Sequence, residues 1–207
     1  MALYRIDAQA LIAEGLKDSK RMSVGARLSM QKRIDSVQCA VSVAICSAAQ
    51  IDAQRNRKIT LNKIGLEDML HVAAEVDEKL RNHPNQLTFG ELAIDSTDVN
   101  PQRMASHFAA RFPAATIHAV HHGEDKYPAI AAAAIVAKGL RDACVEEIEA
   151  YYSGCYGVSV GSGYPSDPLT QKFLSWHAQH FGSFPPQEMR QTWKRKVTQI
   201  PLTSVLE

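Results

Sequence analysis

Two short apolar runs, Leu92-Ala-Ile94 and Thr116–Val120, constrain the fold more than any other feature of this 207-residue chain. The first ends at Asp95 and the second runs into Glu124 and Asp125. A helix signal follows each: Asn100-Pro101 puts proline in a favoured first turn, and Pro128 opens a long small-residue stretch ending near Tyr152. Strands alternating with helices imply an α/β sheet with flanking helices. Open α/β sheets bind ligands at the C-terminal ends of their strands, which is where these acids fall.

The rest of the chain fits that frame. Ala2 to Ile6 reads as a short strand, Lys17-Asp-Ser-Lys20 as a turn, and Ser23 as the cap of a helix reaching about Ile34. Val37 to Cys46 has the look of a core strand, and Ser47 caps a helical turn over Ala48 to Ala53. Ile59, Ile64, Leu66, Met69, Leu70, Ala73, Val76 and Leu80 recur at helical spacing, and His83-Pro84-Asn85 ends that helix. Asp167 caps a helix carrying Phe173, Leu174, Trp176 and His177, which Pro185-Pro186 breaks; a last helix carries Met189 and Trp193. The whole chain, 1–207, is expected to be one domain, with a helical C-terminal extension from about 165.

No apolar run approaches the ~20 residues that span a bilayer, and no signal peptide precedes the first strand, so a cytoplasmic protein without membrane contact is expected. Cys39, Cys46, Cys144 and Cys155 have no C-x-x-C spacing and read as reduced, mostly buried thiols. The net charge of +1 does not by itself announce a nucleic-acid binder, but affinity for phosphates depends on local clusters, and two stand out: Lys17, Lys20 and Arg21, and Arg190, Lys194, Arg195 and Lys196.

Asp95, delivered by an apolar strand, suits a hard cation held by oxygen ligands on a rigid element. The other reading of this segment is a helix-capping acid, which Asp98 fits better because it precedes the Pro101 helix. Glu124 and Asp125 repel each other unless a cation or Lys126 screens them, and either can also be a solvated loop acid.

Gly161-Ser-Gly-Tyr-Pro-Ser-Asp-Pro168, lying after Lys126-Tyr-Pro and its small-residue helix, resembles the C-terminal half of ribonuclease HII. Asp95 to Asn100 resembles the family's Asp-x-x-Asp-Val-Asn element, and Gly123-Glu-Asp-Lys126 stands where the family has Gly-Asp-Ala-Lys. Gly15-Leu-Lys-Asp-Ser-Lys-Arg-Met-Ser23, Ile51-Asp-Ala-Gln-Arg-Asn56 and Arg190-Gln-Thr-Trp-Lys194 resemble further family segments. The resemblance implies a ribonuclease-H-like mixed sheet flanked by helices. It implies an endonuclease that cuts the RNA strand of RNA/DNA hybrids, or duplex DNA at embedded ribonucleotides, leaving 5′-phosphate and 3′-hydroxyl ends. Two Mg²⁺ or Mn²⁺ ions would serve the reaction, with Asp95 and Glu124 as metal ligands and Asp125 as the rival for the second position. Tyr164 would read the ribose, while Lys20, Ser19 and Asn56 would contact the nucleic-acid backbone. Ala131 and Ala134 replace serines common in the family. Whether a protein partner takes part is left open.

The family's opening Asp-Glu-Ala-Gly-Arg-Gly motif, which supplies two more carboxylates, has no counterpart in these residues. Met1 to Ile6 matches the family's third strand best, with Ile6 to Gly15 as the connector to the turn. A rival alignment puts Asp7 at the first acid. A truncated, impaired enzyme is therefore expected, and a catalytically inactive nucleic-acid-binding or interaction relative is the alternative.

Overall fold

The computed structural model describes residues 1–185 and 188–192, with the side chains of Gln38 and Cys39 left aside. Strand β1 is Ala2–Leu3 and helix α1 is Arg5–Ala13. A 3₁₀ turn, Ser19–Arg21, leads to α2, Val24–Val37, and to β2, Gln38–Ala40. Next come α3 (Ala48–Asn56), α4 (Leu61–Arg81), β3 (Glu91–Asp95) and α5 (Pro101–Arg111). β4 (Thr116–Val120), a 3₁₀ turn (Gly123–Asp125), α6 (Pro128–Tyr156) and α7 (Pro168–Phe181) complete the order.

The strands form two ladders. β1 pairs antiparallel with β2, and β3 pairs parallel with β4 in unbroken register from Glu91↔Thr116 to Asp95↔Val120. Parallel neighbours need a crossover, and α5 supplies it by burying Met104 and Phe108 against Leu92 and Ile94. Alternation along β3 buries Leu92 and Ile94 on one face and leaves Glu91, Ala93 and Asp95 on the other. α1, α2 and α6 share a second core of Leu11, Leu16, Met30, Ile34, Ala131 and Ile135. Ala131 is fully enclosed there, so the hydroxyl of a serine would need a partner at the helix contact.

Several expectations are corrected. The first strand stops at Leu3; from Arg5 the chain is helical, so the stretch to Gly15 is mostly helix and Asp7 lies in its first turn, not at a strand end. The strand expected over Val37 to Cys46 is three residues, because its partner β1 offers only two; Val43 and Ile45 are exposed. Asn100 caps α5, accepting from the Gln102 N–H at 3.0 Å, while Asp98 accepts from Asn100 N and clamps Arg103 at 2.6 and 2.7 Å. α6 runs one turn past Tyr152 to Tyr156, where Gly157 turns left-handed. α7 ends at Gly182, before the proline pair. Residues 188–192 form turns, and Pro186 and Trp193 lie outside the described residues. Cys144 and Cys155 are exposed and Cys46 is half-buried, so these thiols are not mostly buried. No helix among the described residues is long and apolar enough to cross a membrane.

Candidate active site

β3 carries Asp95 to its end, where the Asp95 Oδ1 accepts the backbone N–H of Gly123 at 3.1 Å. Gly123 is buried and opens the 3₁₀ turn after β4, reached through His122 in the left-handed region (φ 55°). The N–H groups of Lys126 and Tyr127 return to the Gly123 carbonyl at 3.0 and 2.9 Å, and α6 begins at Pro128. One hydrogen bond thus ties the Asp95 carboxylate to the residue next to Glu124. Beneath it, Ser96 N–H donates to Val120 at 2.7 Å, and the His121 Nδ1 lies 3.2 Å from the Ser96 carbonyl.

Glu124 and Asp125 part company. The Glu124 side chain is 13% exposed and 3.9 Å from the Lys20 Nζ; that of Asp125 is 64% exposed and pairs with Arg21 at 3.3 Å. Both acids, with Ile12, Leu16, Lys17 and Lys126 among others, line a depression of about 220 Å³, so burial and ion partner separate them rather than the depression they border. The Lys-Asp-Ser-Lys turn is fixed by Asp18, whose side chain accepts the Lys20 N–H at 3.0 Å. Ser19 is buried, which leaves Lys20 as the exposed member of that pair.

Among the described residues no group of three or more His, Cys, Asp and Glu forms a metal cage. Asp95 and Glu124 offer oxygen donors of the kind a hard cation such as Mg²⁺ takes, which binds through one or two carboxylates and completes its shell with water and substrate phosphate.

Tyr164, in the loop between α6 and α7, lies against Lys138 and Arg141, about three turns along α6 from Pro128. Its loop closes around Asp167, which accepts from Ser162 N at 2.6 Å and caps α7 by accepting from Leu169 N at 2.9 Å. These bonds, from Ser162 first, hold its carboxyl down at about 2. Gly161 and Gly163 both take φ +72°; a Cβ on Gly161 would sit 2.8 Å from Leu169 Cβ, and one on Gly163 would sit 2.9 Å from the Arg141 Nη2. The Tyr164 ring, with the residue 46% exposed, lies under the Arg141 guanidinium, 4.1 Å from its centroid.

Asn56 is the exposed last residue of α3, a helix opened by a reciprocal capping box between Ser47 and Gln50. The sequence reading missed its neighbour Asp52. That carboxylate is buried and accepts from Gln191 N at 2.6 Å, Thr192 N at 3.0 Å and Thr192 Oγ1 at 2.5 Å, 139 and 140 residues away. Burial alone would push its carboxyl up; the Thr192 and Gln191 bonds outweigh this and hold it below the usual range. Asp142 and Arg27 were missed too, although Lys138 and Asp142 have the i,i+4 spacing of a helical ion pair.

Comparison with solved structures defines the class. The ribonuclease H2 of Pyrococcus horikoshii matches at a TM-score of 0.75 and 29% identity, over 93% of this chain and 83% of that one. The ribonuclease HII in the PCNA complex from Archaeoglobus fulgidus matches at 0.70 and 29%, over 92% and 85%. A ribonuclease HIII solved with Mn²⁺, at 14% identity and 0.65, shares the fold. The architecture is therefore ribonuclease-H-like. The ribonuclease HII family model matches residues 2–196, and the ribonuclease HII of Pyrococcus abyssi is 34% identical over 187 residues, 89% of this chain and 75% of the relative. That of Methanosarcina barkeri is 32% identical over 196 residues, 90% and 80%. The chain belongs to the ribonuclease HII family.

Proposed function

We propose that this protein is a metal-dependent endonuclease that cuts the RNA strand of RNA/DNA hybrids, or duplex DNA at embedded ribonucleotides. The observation that carries the reading is the Asp95–Gly123 hydrogen bond, which holds the strand-end acid Asp95 against the turn that carries Glu124, in a chain belonging to the ribonuclease HII family. Asp95 and Glu124 would hold Mg²⁺ or Mn²⁺. When bound, such an ion lowers the pKa of water and neutralises charge at phosphate and leaving oxygen. Lys20, beside Glu124, offers a positive charge to a backbone phosphate, and Asn56 offers an amide on the exposed end of α3. Water attacks phosphorus, the bond from phosphorus to the 3′-oxygen breaks, and a 3′-hydroxyl and a 5′-phosphate result. Tyr164 packs its ring on the sugar and senses the 2′-hydroxyl, the group that separates RNA from DNA.

The test is cleavage of a labelled duplex with one embedded ribonucleotide, in Mg²⁺ and in Mn²⁺, beside Asp95→Asn. Metal-dependent cutting that the variant loses supports the reading; equal cutting by both chains sinks it. A PCNA-type partner is proposed on a separate ground, the complex formed by the Archaeoglobus relative. Co-elution with PCNA in gel filtration checks it, and separate elution removes it.

A further inference from the structure

We propose that Asp142 is a positioning residue for Tyr164: it fixes the two cations that orient the ring, and so sets how well the chain tells ribose from deoxyribose. The inference rests on the reading of Tyr164 as the ribose sensor.

Asp142 collects three cations from two helices. Its Oδ1 accepts from Lys138 Nζ at 2.5 Å and from Arg141 Nη1 at 3.2 Å, and its Oδ2 accepts from Arg27 Nη2 of α2 at 3.1 Å. All three cationic side chains are more than half-buried, so without the carboxylate they would repel one another at close quarters. Burial alone would raise the Asp142 carboxyl; Lys138 and Arg141 outweigh that and hold it below the ordinary range.

Two of these cations reach Tyr164. Arg141 covers a ring face at 4.1 Å from the centroid, in cation–π geometry. Lys138 Nζ stands 5.1 Å from the centroid and donates to the phenol oxygen at 3.3 Å. An ammonium has donors only, so it occupies an acceptor site of the phenol and leaves the phenol proton to be donated outward. A ribose 2′-oxygen can accept that proton; deoxyribose has no such atom. With one face under Arg141, the sugar must pack on the other. Gly163 brings the loop backbone close to Arg141, so that an added Cβ would lie 2.9 Å from its Nη2. Asp142 touches no substrate on this reading; it acts through Lys138 and Arg141.

The experiment compares the affinity of the full chain, in EDTA so that nothing is cut, for a duplex with one ribonucleotide and for the same duplex in all DNA. Fluorescence anisotropy reads both. Asp142→Asn should lose most of the ribonucleotide preference, up to about tenfold for one hydrogen bond, while all-DNA affinity stays within about twofold. Lys138→Met, which leaves Arg27 with its carboxylate, should lose the preference too and guards against misfolding of the first variant. Tyr164→Phe separates the two levels of argument. If it abolishes the preference while Asp142→Asn and Lys138→Met keep it, the positioning role is wrong and the sensor reading stands. If Tyr164→Phe leaves the preference intact, or the parent chain shows none, both fall.

Discussion

At the scale of single residues, Glu124 and Asp125 are the instructive pair. Adjacent acids look equivalent in a sequence, and only the direction of each side chain separates them. Glu124 turns inward toward Lys20, whereas Asp125 is mostly in water with Arg21. Glu124→Gln should therefore lower metal-dependent cleavage by more than about a hundredfold, since even partners that merely support a metal ligand are worth 10–100-fold. Asp125→Asn should cost only a few-fold, because a screened surface pair is worth little. Steady-state rates on the ribonucleotide duplex check this, and equal losses would mean that both acids serve. Gly163 gives a second residue-scale expectation. Gly163→Ala asks an L-residue to hold φ +72° against Arg141, which should cost about 1–2 kcal/mol in denaturant unfolding.

Elements succeed where local chemistry and packing agree. α4 was legible from its spacing, α7 from Asp167, and β3 and β4 from apolar runs that end in acids; the structure has each close to where the pattern points. β2 was over-read because a strand exists only where a partner pairs it, and β1 offers two residues. The helix α1 was under-read because a chain start with Leu, Tyr and Ile resembles a strand until Arg5 begins the helix. The parallel pair depends on α5. Phe108 is fully buried between Met104 and Phe112, under Leu92 and Ile94. Phe108→Ala should destabilise the fold by about 3–5 kcal/mol. Thermal unfolding of that variant measures it, and a loss below about 1 kcal/mol would mean that β3 and β4 hold together without the crossover helix.

At the scale of the whole molecule, Asp52 joins α3 to residues 191 and 192 and so links distant parts of the chain. Asp52→Ala should cost about 1 kcal/mol at neutral pH, because it removes the acceptor of two backbone N–H groups that lie on exposed residues and can turn to water. The Asp52 carboxyl is depressed in the folded chain, so its stabilisation is complete above about pH 4 and fades as pH falls through the folded value. The gap between parent and variant in urea unfolding should shrink on acidification; a gap that stays constant to pH 2 would show that the carboxylate charge is not what holds the segment. By itself the sequence determined the α/β alternation, most helix bounds, the acids at strand ends and the family motifs, because propensity, capping and turn chemistry act over a few residues. Tertiary structure alone decided which acid faces inward, which cap α5 uses, that Asp52 holds a segment some 140 residues on, and that Asp142 gathers cations around Tyr164. Those depend on which surfaces meet, and burial and electrostatics act between groups brought close in space rather than in sequence.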